Sequence, residues 1–159
     1  MKHWPDQLSG LRSAQVADGK LSLVLNNSLA AVEEGRQEIL RFIGPVDAMA
    51  VNRLEIIFEE LVTNIIRHGF EKMSGQCIHV MVERGDGAIR LTFEDDGVPF
   101  DLLVAAAPQT GKSIETVQIG GLGIPLVKKM SSSLAYEALP AVEAMDFCPR
   151  NRTIVSVKA

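Results

Sequence analysis

Cysteine is scarce in this chain: Cys77 and Cys148 are the only two in 159 residues. They form no Cys-x-x-Cys pair and have no histidines at ligand spacing, which excludes a zinc or disulfide framework. A cationic surplus is also missing. The net charge of −4 and the pI near 5.4 leave no broad basic face for bulk nucleic-acid binding. No stretch approaches the roughly 20 apolar residues of a membrane span, and Met1-Lys2-His3-Trp4-Pro5-Asp6 lacks the apolar core of a signal peptide. The expected setting is the cytoplasm. Internal repeats and low-complexity blocks are absent too.

What the chain does contain suits a packed core: 47% hydrophobic and 23% charged residues, at the length of one ordinary domain. Residues 1–18 carry Pro5 and Gly10 without a sustained period, so they are expected as a loosely attached lead-in to a single domain over 19–159. Leu21, Leu23 and Leu25 alternate with less apolar neighbours, predicting a strand, and Ser28 stands as an N-cap for a helix reaching Gly44-Pro45. From Asp47 to His68, Leu54, Ile57, Phe58, Leu61 and Ile65 recur on one helical face, with Gly69 as the stop. Ile78, Val80 and Val82, the turn Arg84-Gly85-Asp86-Gly87, and Ile89, Leu91 and Phe93 predict a β-hairpin. Residues 101–119 have no strong period and exceed the usual loop length, as a lid would. A helix over 121–130, strands over 134–139 and 153–157, and an irregular connection over 140–150 complete the reading.

Three short signatures carry chemistry. Glu60 and Asn64, four residues apart on the long helix, project about 40° from each other at the rim of its apolar stripe. There Asn64 can offer an amide oxygen to Mg²⁺ and Glu60 can accept a proton, although a solvated glutamate beside a tolerated asparagine reads the same way. Asp95 ends a strand, where its carboxylate can accept from an amino group such as adenine N6 while Gly97 lets the backbone pass close to a flat base. A plain Asp-Gly turn would carry the same letters, with Asp96 as the solvent-facing member of the pair. Gly120-Gly121-Leu122-Gly123 opens a helix, where bare amides and the positive dipole end favour phosphate; a flexible hinge is the alternative. Gly111-Lys112-Ser113 has the tail of a P-loop, but Ala106 stands where the first glycine belongs. Lys112 is instead placed to reach phosphates from the lid. His68 reads as a helix C-terminal histidine.

Glu60-x-x-x-Asn64 with His68-Gly69-Phe70, Asp95-x-Gly97-x-Pro99-Phe100-Asp101, and Gly121-Leu122-Gly123-Ile124-x-Leu126-Val127 resemble, in order, the N, G1 and G2 boxes of the GHKL (Bergerat-fold) ATPases. Within that superfamily the text is similar to the anti-sigma factor serine-protein kinases of the RsbW and SpoIIAB type. The resemblance spans about Lys20 to Lys158. It implies an α/β (α+β) two-layer sandwich, a mixed, mostly antiparallel sheet covered on one face by helices. It implies ATP and Mg²⁺, with Asn64 on the metal, Glu60 as general base toward a serine hydroxyl, Asp95 on adenine N6, Gly97 shaping the base pocket, and Gly121 and Gly123 on phosphates. Thr153 matches the final-strand threonine near adenine. Pro99 departs from the second glycine of the broader G1 box, and no phospho-accepting histidine domain is recognisable.

The resemblance further implies a kinase that phosphorylates an anti-anti-sigma (STAS-type) antagonist and otherwise sequesters a sigma factor or another regulator, pairing as a homodimer. The alternative is a module that binds ATP or ADP as a switch and controls a protein partner without phosphorylating it. Both use the same pocket residues. A structural protein without nucleotide is the third reading.

Overall fold

The computed structural model describes residues 10–71, 73, 75–104, 123–142 and 147–159. Within them six strands form one sheet: β1 (Leu11–Ala17), β2 (Lys20–Asn26), β3 (Cys77–Gly85), β4 (Ala88–Asp95), β5 (Ser133–Ala138) and β6 (Asn151–Lys158), in the order β1-β2-β3-β4-β6-β5. Every described pairing is antiparallel, so the parallel component of the expected mixed sheet is not found among these residues. The connection from β5 returns the chain so that Asn151 starts beside Asp95 and Lys158 ends beside Ala88, against the direction of β4.

Three helices cover one face: α1 (Ala30–Ile43), α2 (Ala48–Asn64) and α3 (Gly123–Met130). Register explains how the faces divide. Cross-strand rows such as Leu23, Val80, Phe93 and Leu21, Val82, Leu91, Val155 put alternate residues under the helices. They meet Ile39, Leu54, Ile57, Phe58 and Leu61, all essentially fully buried, with the Phe58 and Phe93 rings 6.1 Å apart. Arg36 of α1 reaches Glu55 of α2 at 2.6 Å and clamps the helix pair from outside. Toward one end these apolar rows change character. The row through Phe93 continues into Thr153 and Tyr136, and the next joins Ile78, Asp95 and Asn151. The core therefore ends in polar groups on β4, β5 and β6.

Residues 11–17, expected within a loosely attached lead-in, are instead a paired strand. The hydrophobic pattern hid it, because β1 is an edge strand on which only Leu11 is buried. What fixes it is polar: the Gly10 and Leu11 amides donate to the Glu34 carboxylate of α1 at 3.0 and 2.9 Å, and Asn26 N–H donates to the Gly10 carbonyl at 2.8 Å. A second difference lies at the end of α2. The pattern predicts one helix to His68, whereas regular α-helix stops at Asn64 and Ile65–Gly69 form a π-turn closed by Phe70 N–H on the Ile65 carbonyl at 3.0 Å. Among the described residues no helix is long and apolar enough to cross a membrane.

The start of α2 is fixed by Asp47, whose Oδ2 accepts from the Met49 and Ala50 amides at 2.9 and 3.2 Å. Replacing it (Asp47→Ala) leaves those donors without a protein acceptor and costs about 1 kcal/mol of stability. Urea unfolding of the two proteins measures it; an unchanged midpoint would remove the cap from the account.

Candidate functional site

The polar end of the sheet faces the end of α2 across two adjoining recesses. The first, with a free volume of about 390 Å³, is lined by Asn64, His68, Gly69, Asp95, Tyr136, Asn151 and Thr153 among others. The second, about 310 Å³, is lined by Glu60, Thr63, Asn64, Arg67, His68, Gly123 and Ile124. Asn64 and His68 border both.

Backbone approach makes the first recess. The π-turn delivers the Gly69 carbonyl to the loop after β4, where it accepts from Val98 N–H at 3.0 Å. A Cβ on Gly97 would stand 2.7 Å from that carbonyl oxygen and 2.8 Å from Asp95 Oδ1. Glycine at 97 is thus required by space, for the backbone of Gly69 and the side chain of Asp95. At the second recess, a Cβ on Gly123 would fall on the Glu60 carboxylate. The bare first residue of α3 leaves that carboxylate its present position beside the helix start.

Asp95 is the chemical centre of the first recess. It is 4% exposed, and its Oδ1 accepts from Gly97 N–H at 2.9 Å and from Asn151 Nδ2 at 3.0 Å. Among the described residues no donor meets Oδ2. Burial raises the Asp95 pKa to about 6, against the lowering effect of the Gly97 and Asn151 hydrogen bonds; neighbouring Asp96 adds a smaller upward push. Asp96, expected to face solvent, is half-buried. Its Oδ1 is buried without a hydrogen-bond partner, and burial raises its pKa as well.

The predicted site residues thus fall into two neighbouring groups that share Asn64. Asp95, Thr153 and Asn64 line the first recess, with Gly97 beneath it, and Glu60, Asn64 and Gly123 line the second. Gly121, Lys112 and the lid beyond Val104 lie outside the described residues. Sequence reasoning missed Asn151, Tyr136 and Arg67. Strand periodicity held the signal for the first: Asn151 is two residues from Thr153 and shares its face.

The profile of the histidine kinase-like ATPase domain family matches residues 25–144, and the chain belongs to that family. It is similar to the serine/threonine-protein kinase BtrW of Bordetella bronchiseptica, 26% identical over 84 residues that cover 53% of this chain and 59% of that relative. The chain thus aligns with little more than half of the relative's length. The histidine kinase domain of the blue-light activated histidine kinase of Erythrobacter litoralis EL346 aligns with a TM-score of 0.45 and 13% identity, over 84% of this chain and 61% of that one.

The Asp95 carboxyl binds its proton more tightly folded (about 6) than unfolded (3.8), so its contribution to stability is greatest below pH 3.8 and is lost as pH rises through about 6. Near pH 7.5 the ionised group costs about 1–3 kcal/mol. Asp95→Asn is therefore expected to be the more stable protein at pH 7.5, with the difference vanishing below pH 4. Denaturant unfolding at both pH values checks it, and a variant less stable than wild type at pH 7.5 would contradict the burial argument.

Proposed function

We propose that this chain is an ATP-dependent serine-protein kinase that phosphorylates an anti-anti-sigma (STAS-type) antagonist, and that it holds a sigma factor or another regulator when the antagonist is unavailable. The observation that carries the reading is the position of Asn64 on both recesses, between the buried acid Asp95 and the acid Glu60. Membership of an ATPase family and the similarity to BtrW, a serine/threonine-protein kinase, support it. In this reading β1 belongs to the domain together with residues 19–159.

The first recess takes the base: Asp95 Oδ2 is an acceptor for the adenine amino group, and Thr153 borders the ring. From there the triphosphate passes Asn64 into the second recess, where Gly123 exposes backbone and Arg67 supplies positive charge. Gly121 and Lys112 would extend the same phosphate contacts. Asn64 also suits Mg²⁺, since its amide oxygen on the second recess is the hard oxygen donor that this cation takes alongside water and substrate phosphates. When bound, the ion would neutralise phosphate charge. Glu60, on the same recess, is placed to take the proton of the antagonist's serine hydroxyl as its oxygen bonds to the γ-phosphorus and the bond to the ADP oxygen breaks. The remaining contribution is positioning and exclusion of water.

Glu60→Gln keeps the shape of the side chain and removes its basicity. Transfer of labelled γ-phosphate to a serine-bearing antagonist should fall about 10²–10³-fold, while ATP affinity stays within about threefold of wild type. Equal transfer by both proteins would remove Glu60 as base. Wild type that binds ATP without any transfer would support the switch module instead.

A further inference from the structure

Asn151 is 5% exposed and every hydrogen-bonding position of its side chain is used. Its Nδ2 donates to Asp95 Oδ1 at 3.0 Å and to the Gly97 carbonyl at 3.1 Å. Its Oδ1 accepts from Tyr136 Oη at 2.6 Å and from Phe100 N–H at 3.3 Å. Two donors and two acceptors exhaust a primary amide. The Phe100 N–H can only donate and the Gly97 carbonyl can only accept, so one orientation of the amide is compatible with its surroundings. Asn151 therefore presents only N–H to Asp95.

That orientation has a consequence for the acid. With Gly97 N–H and Asn151 both on Oδ1, one oxygen of Asp95 is saturated and the carboxyl plane is fixed. The other oxygen is left for whatever enters the recess. We infer that Asn151, held by the Tyr136 hydroxyl, is a positioning residue that reserves Asp95 Oδ2 as a pure acceptor, and so makes the recess select purine nucleotides with a 6-amino group over those with a 6-oxo group. A ligand amino group completes the set of hydrogen bonds, whereas a carbonyl would face the carboxylate lone pairs. The inference rests on the ATP reading above and adds the residues that enforce it. The network also ties three elements together: β5 through Tyr136, β6 through Asn151 and the loop after β4 through Gly97 and Phe100.

The test uses ATP and inosine triphosphate, which differ at the 6-position, with binding measured by calorimetry on wild type, Asn151→Ala and Tyr136→Phe. A second readout needs no nucleotide: the titration of Asp95 followed by the carbon-13 shift of its carboxyl group. The titratable groups around it are Asp96 and Asp101 on the loop, His68 at the end of α2 and Tyr136 on β5. All are retained in Asn151→Ala, so a changed midpoint reports the amide. Wild type should prefer ATP. Asn151→Ala should lose about tenfold of that preference, and its Asp95 midpoint should move above the wild-type value because a donor to the carboxylate is gone. Tyr136→Phe, a milder change, should shift both readouts in the same direction by about threefold in preference. If Asn151→Ala does not fold, Tyr136→Phe decides alone. A variant that loses affinity for both nucleotides equally, with an unmoved midpoint, would show that Asn151 only holds the fold, and the inference would fall. Wild type that binds neither nucleotide would overturn the proposed function itself.

Discussion

Gly69 and Gly97 meet backbone against backbone, with the carbonyl of one taking the amide next to the other, Val98 N–H, at 3.0 Å. That meeting joins the end of α2 to the end of β4, and the rest of the site is arranged around it. A side chain at 97 would force the two apart, since its first carbon would lie 2.7 Å from the Gly69 oxygen. With the ends joined, Asp95 is roofed by helix on one side and backed by β6 on the other, which accounts for both its burial and its raised pKa. Asn64, one turn earlier on α2, is carried to the boundary between the two recesses by the same contact.

The sheet changes purpose along its own rows. Over most of its helix-covered face, leucine, valine, isoleucine and phenylalanine pair across strands and bury against α1 and α2. At one end the same register places Asp95, Asn151, Thr153 and Tyr136 where further apolar residues would have extended the core. The end of the sheet is therefore stabilised by specific hydrogen bonds rather than by area, and one of its groups, the Asp95 carboxylate, weakens the fold at neutral pH.

Much of this was legible in the sequence because it follows from period and punctuation. The alternation of Ile78, Val80 and Val82 with Ile89, Leu91 and Phe93 gave the central hairpin, and the three- and four-residue steps from Leu54 to Leu61 gave α2. The three boxes, in order, gave Glu60, Asn64, Asp95 and Gly123, which line two adjoining recesses, and Gly97, which packs against Asp95 beneath the first. β1 was not legible, because an edge strand buries almost nothing and is held by Glu34, whose partners are backbone amides 23 and 24 residues away. Asn151 and Tyr136 were obscured for a related reason: their importance lies in pairings across 56 and 15 residues, which no local window contains. The connection over 140–150 reads as merely irregular, yet its Phe147 stacks on His79 at 3.8 Å, on the sheet face opposite the helices, a contact that only the folded register creates.

The π-turn over Ile65–Gly69 ties the site to chain length as well as to residue identity. Such a turn holds one residue more than an α-turn over the same stretch of helix axis. A one-residue deletion between Ile65 and Gly69 would let regular α-helix run through the stretch, and the widened turn that now carries the Gly69 carbonyl out to Val98 N–H would be lost. The helix would survive and the cavity would open. Among homologous chains, an insertion or gap at this one place would therefore be felt first at the contact between Gly69 and the loop after β4.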